Sequence, residues 1–206
     1  MIRVKFFINL CFIFLITVFG CRSQNKPDDQ IAERKLKNRK PAVAGKFYPG
    51  TKQALSSELQ SLFKKAEQKK ISNPAMAIFA PHAGYVFSGK VAASAYNQLD
   101  QDAEYENIIL IGSSHQTAYN GASIYNKGHY ETPLGEVKVN LTLADELIEK
   151  HKFFDFFPDA HMFEHSLEVQ LPFLQYKLKK DFQILPVVIG SQSAEMSKNI
   201  AEALAP

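Results

Sequence analysis

Past residue 21 the 206-residue sequence contains no cysteine, the only two being Cys11 and Cys21. Everything beyond that point therefore lacks a thiol for a disulfide, a nucleophile or a metal. Any metal site there must be built from nitrogen and oxygen ligands. No apolar run reaches the roughly 20 residues that a membrane-crossing helix requires. There is no G-x-S-x-G elbow, no Gly-rich phosphate loop and no dinucleotide fingerprint. Nor is there an internal repeat or a low-complexity segment. An excess of charge of either sign is lacking as well: the formal net charge is +3, and setting aside Arg3 and Lys5 with an expected leader leaves +1. The one basic run, RKLKNRK at 34–40, reads as a solvated linker, so nucleic acid is not an expected partner.

What is there begins with a positive n-region, MIRVK, and an apolar stretch, FFINLCFIFLITVF. This is too short to span a bilayer and reads as a signal sequence over residues 1–20. It ends in VFGC, with Val18, Gly20 and Cys21 placed as in a bacterial lipobox. That resemblance implies lipidation of Cys21 and a lipid anchor to the membrane of the cell envelope. Arg22 rather than an aspartate follows, which favours the outer membrane. Residues 21–38 carry few large apolar side chains and read as a tether, and residues 39–206 as the folded domain.

Within that domain, Leu55, Leu59, Leu62 and Phe63 form one helical stripe, with Thr51 a candidate N-cap. AMAIFA at 75–80, NIILIG at 107–112 and FQILPVVIG at 182–190 are apolar runs of strand length. GASIYN and GEVKVN are shorter β-like pieces around a Pro133-Leu134-Gly135 turn. SGKVAASAYNQL, LADELIEK (entered through Asn140 or Thr142), EHSLEVQLPFLQYKLKK and SAEMSKNIAEAL have helical spacing. Pro172 should kink the third of these or open its second segment. Apolar strands alternating with helices predict an α/β fold, a three-layer sandwich whose mainly parallel or mixed sheet is covered on both faces.

Two of those runs end in histidine: APHAGY carries His82 and GSSH carries His115. Ligands in open α/β sheets gather at the carboxyl ends of strands. If the two strands are neighbours, the imidazoles converge and supply half of a metal site. Gly84 would allow a close backbone approach, and Gly112 a tight turn before Ser113 and Ser114. A separate stretch, HMFEH at 161–165, spells the H-x-x-E-H of inverted-motif zinc peptidases, with His161 and His165 as ligands and Glu164 as base. The preceding FFDFFPDA reads as a loop, which argues against both histidines sharing a helix face. His129 follows a turn and His151 closes a helix, so both read as structural.

Taken together, RKPAVAGKFYPG, APHAGYVFSG, GSSH, ETPLGEVKV, EHSLEVQLPFLQ and ILPVVIG resemble, in order, the motifs of the Memo family, whose bacterial members are called AmmeMemoRadiSam system protein B. The resemblance implies a fold similar to the catalytic subunit of class III extradiol dioxygenases, which hold non-haem iron(II) through two histidines and a carboxylate. Memo proteins keep a related pocket with two histidines and a cysteine. His82 and His115 match those histidines, with iron or copper as the expected metal. Glu164 and His165 match polar residues near the pocket, and His165 is expected to act as an acid/base or supporting group. His161 matches no family motif. Ser113 stands where the family usually has proline. Radical-SAM and AMMECR-type proteins are the partners the family name implies, although an export signal argues against direct contact with cytoplasmic ones. The family continues beyond Pro206 with a further aspartate, a histidine and the ligand cysteine, so the C-terminal part of its fold and the third ligand are expected to be missing here. The expected function is metal binding with redox or oxygenase-type chemistry. The alternative is a non-catalytic metal-binding or interaction module.

Overall fold

The computed structural model describes residues 34–69, 71–190 and 193–205. The expected signal sequence, Cys21 and most of the tether lie outside the described residues.

Helix α1 (Lys52–Lys65) forms where the sequence predicts it: Thr51 caps it by accepting the Ala54 N–H, and Leu55, Leu59 and Leu62 are buried along one stripe. Helix α2 spans Tyr85–Tyr96 and buries Ala92, Ala93 and Tyr96. Strand β1 (Asn107–Ser113) follows, then β2 (Ala122–Ile124), a hairpin of β3 (Tyr130–Thr132) and β4 (Gly135–Val137), and α3 (Leu141–Lys150), capped by Asn140. After β5 (Phe154–Asp155) and the short α4 (Pro158–Met162), a 3₁₀ turn at Glu168–Gln170 leads into α5 (Leu171–Lys177). Pro172 sits in the first turn of α5, where its missing N–H costs nothing; it opens a helix rather than kinking one. Strand β6 (Gln183–Ile189) and helix α6 (Ala194–Leu204) complete the order.

The main sheet runs β1-β6-β2-β5, parallel except for the antiparallel pairing of β2 with β6. The sheet is mixed, as expected. Its organiser is β6, whose side chains alternate between two cores. Ile184 and Val188 join the cluster made with α1, α2 and α5, while Leu185 and Val187 join α3 and α6. Helices therefore cover both faces, giving the three layers that the alternating pattern predicts.

One expected strand is missing. Residues 75–80 form no ladder, and Met76 and Phe79 are 100% and 99% exposed. The run has strand composition, but a strand needs a partner, and β1 pairs only with β6 among the described residues. The expected pairing of two neighbouring strands beneath His82 and His115 is thus replaced by one strand and one segment without a ladder partner.

Candidate metal centre

His82 sits in the loop that enters α2. That loop is pinned from three directions: the Gln170 side chain donates to the Pro81 carbonyl at 3.1 Å, Ser88 donates to the Ala83 carbonyl at 3.0 Å, and the Tyr85 N–H donates to Phe47 at 2.7 Å. A Cβ on Gly84 would make only ordinary contacts, so no close approach depends on that glycine. His115 lies just past β1, which is held to the sheet by the Ser114 N–H donating to the Ile189 carbonyl at 2.9 Å. Gly112 acts differently from the expected turn. It lies inside β1, and a Cβ there would come within 2.5 Å of the Ser166 hydroxyl and 2.9 Å of Leu167. Its bareness lets the 165–167 segment press against the strand.

That segment brings in His165. The rings of His82 and His115 are 5.2 Å apart, those of His115 and His165 4.7 Å, and those of His82 and His165 5.8 Å. One nitrogen from each ring falls within 4.8 Å of the others. The structure thus gathers both histidines read as ligands and adds the one read as an acid/base group. Phe47 packs edge-on against His165 at 4.9 Å.

Glu164 stands behind this triad and is almost wholly buried. Its carboxylate accepts the backbone N–H groups of His115 at 2.6 Å, His165 at 2.7 Å and Ser166 at 2.8 Å. It also faces His115 Nδ1 at 3.0 Å and His165 Nδ1 at 3.3 Å. Burial alone would raise its pKa, but the N–H donors from Ser166, His115 and His165 outweigh that and hold it below the usual carboxylate range. A carboxylate only accepts, so the Nδ1 of His115 that faces it carries the proton and the Nε2 lone pair remains for a ligand. Burial lowers the His82 pKa, as does the neighbouring His115, against the pull of Glu164. Burial also lowers that of His165, again against Glu164.

His161 is not part of the site. It is buried, with Nδ1 3.1 Å from the Tyr130 hydroxyl and Nε2 2.9 Å from that of Ser123. Both ring nitrogens are engaged in the core, so the peptidase pattern lacks its first ligand. The loop expected up to His161 is instead α4, which contains His161, and Glu164 and His165 follow that helix's end; the two histidines share no helix face, though not for the reason the preceding sequence offered. His129 accepts the Val139 N–H and His151 caps α3; both serve the fold.

Sequence reading missed the scaffold under the site. Glu168 is 0% exposed, and its carboxylate accepts from the Arg39 guanidinium, from the N–H groups of Ala42 and Val43 at 2.8 and 3.0 Å, and from the Tyr48 hydroxyl at 2.6 Å. Arg39 in turn donates to the carbonyls of His161 and Glu164. The signal was an acidic residue inside the apolar SLEVQLPFL stretch; its partner lies 129 positions away, beyond any local pattern. An open cleft of about 760 Å³ adjoins His82 and His165, walled by Phe47, Pro81, Val86 and Phe87 with Lys46 at its edge.

Residues 39–206 match the Memo-like protein family. Among curated proteins, a MEMO1 family protein of Thermoplasma volcanium is 39% identical over 166 residues, 81% of this chain and 61% of its own length. One from Pyrococcus abyssi is 38% identical, covering 81% of this chain and 58% of itself. One from Methanobrevibacter smithii is 39% identical, covering 81% and 62%. The chain belongs to the Memo-like family, and it spans about three-fifths of the length of these relatives.

Proposed function

We propose that this Memo-like chain binds one divalent metal ion through His82, His115 and His165. The observation that carries this reading is the convergence of three imidazole nitrogens within 4.8 Å, backed by a buried carboxylate. Three neutral nitrogen ligands suit iron, copper and zinc, and leave further coordination positions open. We favour iron or copper, which would supply redox or oxygen-activating chemistry at the cleft. Glu164 would fix the ring of His115, and the triad assignment makes His165 a ligand rather than an acid/base group. Cys21 would carry a lipid anchor; Cys21→Ser should then move the protein from the membrane to the soluble fraction. Among the described residues no helix is long and apolar enough to cross a membrane.

The test is metal content of the purified full chain after loading with iron(II), copper(II) or zinc(II). One ion per chain is expected, with loss of at least roughly tenfold in affinity in His82→Ala and His165→Ala. Retention of full affinity in both variants would overturn the triad. A second reading, a non-catalytic metal-binding module, is favoured by the exposure of Val86 and Phe87 on the cleft wall, which leaves the site poorly screened from water. Oxygen uptake with a catecholic substrate by the iron-loaded chain separates the two: uptake supports the enzyme, and stoichiometric metal without uptake supports the module.

A further inference from the structure

Residues 34–38 precede the family match, which begins at Arg39, yet they are bound to the folded domain. The Lys37 N–H donates to the Lys127 carbonyl at 2.6 Å, and the Tyr125 hydroxyl donates to the Lys37 carbonyl. The Asn38 side chain accepts the His129 N–H at 3.0 Å and donates to Glu136 at 2.8 Å. Arg34 donates to the Asn126 carbonyl at 2.8 Å and pairs with Asp145 at 2.7 Å. The Arg39 N–H donates to the His129 carbonyl at 2.8 Å, and a parallel bridge joins Arg39 to Tyr130 of β3. Residues 34–39 are thus a strap seated along the entry to the β3–β4 hairpin.

Gly128 is buried beneath that strap. A Cβ there would lie 2.5 Å from the Lys37 carbonyl oxygen and 2.9 Å from the Asn38 nitrogen. Its φ is not positive, so the demand for glycine is one of contact, and only a bare residue lets the strap seat.

The strap ends on the residue that reaches the histidine cluster. Buried Arg39 donates from Nε to the His161 carbonyl at 3.1 Å, and from its two other nitrogens to Glu168 and the Glu164 carbonyl. Glu164 in turn accepts the N–H groups of His115 and His165. Intermediacy alone is not coupling. The guanidinium, however, is a rigid planar fork. If the Arg39 backbone shifts, its arms cannot all stay on Glu168, His161 and Glu164.

We propose that residues 34–39 form a positioning strap for the histidine cluster, with Arg39 carrying the effect, so that strap seating and metal binding favour each other. The part that concerns metal rests on the triad reading above. By linkage, whatever factor the seated strap adds to metal affinity, the metal adds to strap seating. Anything that lifts the strap would loosen the site, which makes this segment a control point rather than an inert spacer.

The test uses the full chain and two variants. Gly128→Ala pushes on the strap from below, and Lys37→Pro removes its 2.6 Å hydrogen bond from the strap's own side. Hydrogen exchange without metal compares the Glu164-bound amides of His115, His165 and Ser166 with the amides of β6. The former are expected to exchange at least about fivefold faster, relative to β6, in both variants. Arg39→Lys keeps a cation for Glu168 but cannot span both carbonyls, so it should speed the same amides. Trypsin reads the reverse direction, because cleavage after Lys37 requires the strap to lift. Zinc(II) should slow that cleavage in the unaltered chain, by the factor through which Gly128→Ala weakens zinc affinity, and should not slow it in His82→Ala. Unchanged exchange in both strap variants overturns the proposal. Exchange that rises equally in β6 also overturns it, since the strap would then serve stability alone. So does a chain that binds zinc with no change in cleavage. If no zinc binds but the exchange effect persists, the metal reading falls and the positioning role of the strap stands.

Discussion

Glu164 holds His115 at two points, accepting its backbone N–H at 2.6 Å and facing its ring Nδ1 at 3.0 Å. The carboxylate thereby sets both where the residue sits and which ring nitrogen bears the proton. It does so from a buried position in the loop that carries His165, so two of the three imidazoles are placed by one acidic group.

Glu164→Gln tests that arrangement with little change in shape. The carboxylate accepts three backbone N–H groups and faces His115 Nδ1, so a carboxamide must turn its NH₂ toward at least one of these donors. Metal affinity is expected to fall about 10–100-fold, the range found when the group orienting a ligating histidine is removed. Chelator competition with zinc(II) measures it. Unchanged affinity would remove Glu164 from any role in presenting the ring.

His161 makes a prediction about pH. Burial, reinforced by the charge of Arg39, lowers its pKa to about 3, against an ordinary value near 6.5. The unfolded chain therefore takes up a proton between these values and the folded chain does not. Stability is full above pH 6.5 and falls as pH drops toward 3, by at most about 1.4 kcal/mol per pH unit for this group. His82 and His165 are lowered in the same direction and add to the limb. Urea denaturation between pH 4.5 and 7.5 should show His161→Gln with a slope shallower by about one proton. Its metal content should equal that of the unaltered chain; a loss would restore His161 as a ligand.

How much of this was legible in the sequence follows from how local each signal is. Helix α1 announces itself through Thr51 and a leucine stripe, and β6 through an apolar run that no single-faced strand could bury. His82 and His115 stand out because each follows such a run directly. The failures are non-local. Residues 75–80 have strand composition, yet composition does not say whether a partner strand exists. Gly112 looks like a turn glycine until the chain brings Ser166 across it. HMFEH looks like a metal pair until the end of α4 at Met162 separates His161 from His165. His165 was singled out, but only the fold reveals that its ring joins the other two.

The Arg39–Glu168 pair should behave unlike an isolated buried ion pair. Removing one member of a buried pair typically costs about 3–5 kcal/mol, and replacing both with apolar groups often recovers it. Here Glu168 also accepts the N–H groups of Ala42 and Val43 and the Tyr48 hydroxyl, and Arg39 donates to the carbonyls of His161 and Glu164. An Arg39→Met, Glu168→Leu double variant leaves those groups unpaired. Urea denaturation should find the double variant no more stable than Glu168→Gln alone. Recovery to the stability of the unaltered chain would show that the surrounding donors and acceptors contribute little.

Gly112→Ala probes the contact that delivers His165 to the site. The added methyl would lie 2.5 Å from the Ser166 hydroxyl and 2.9 Å from the Leu167 side chain, closer than packed atoms tolerate. Overpacking of this kind costs about 1–3 kcal/mol, and relief requires the 165–167 segment to move away from β1. His165 then leaves the triad, so metal affinity should fall by more than the loss of stability alone explains. Ser166→Ala removes the nearer obstacle but not Leu167, and it also removes the hydrogen bond from Ser166 to the Ser113 carbonyl at 3.2 Å. Added to Gly112→Ala, it should restore only part of the affinity. Measuring zinc(II) affinity and urea stability on the same four proteins separates the outcomes. Loss of stability with affinity intact would mean that the strand yields instead of the loop, and that Gly112 serves the core rather than the site.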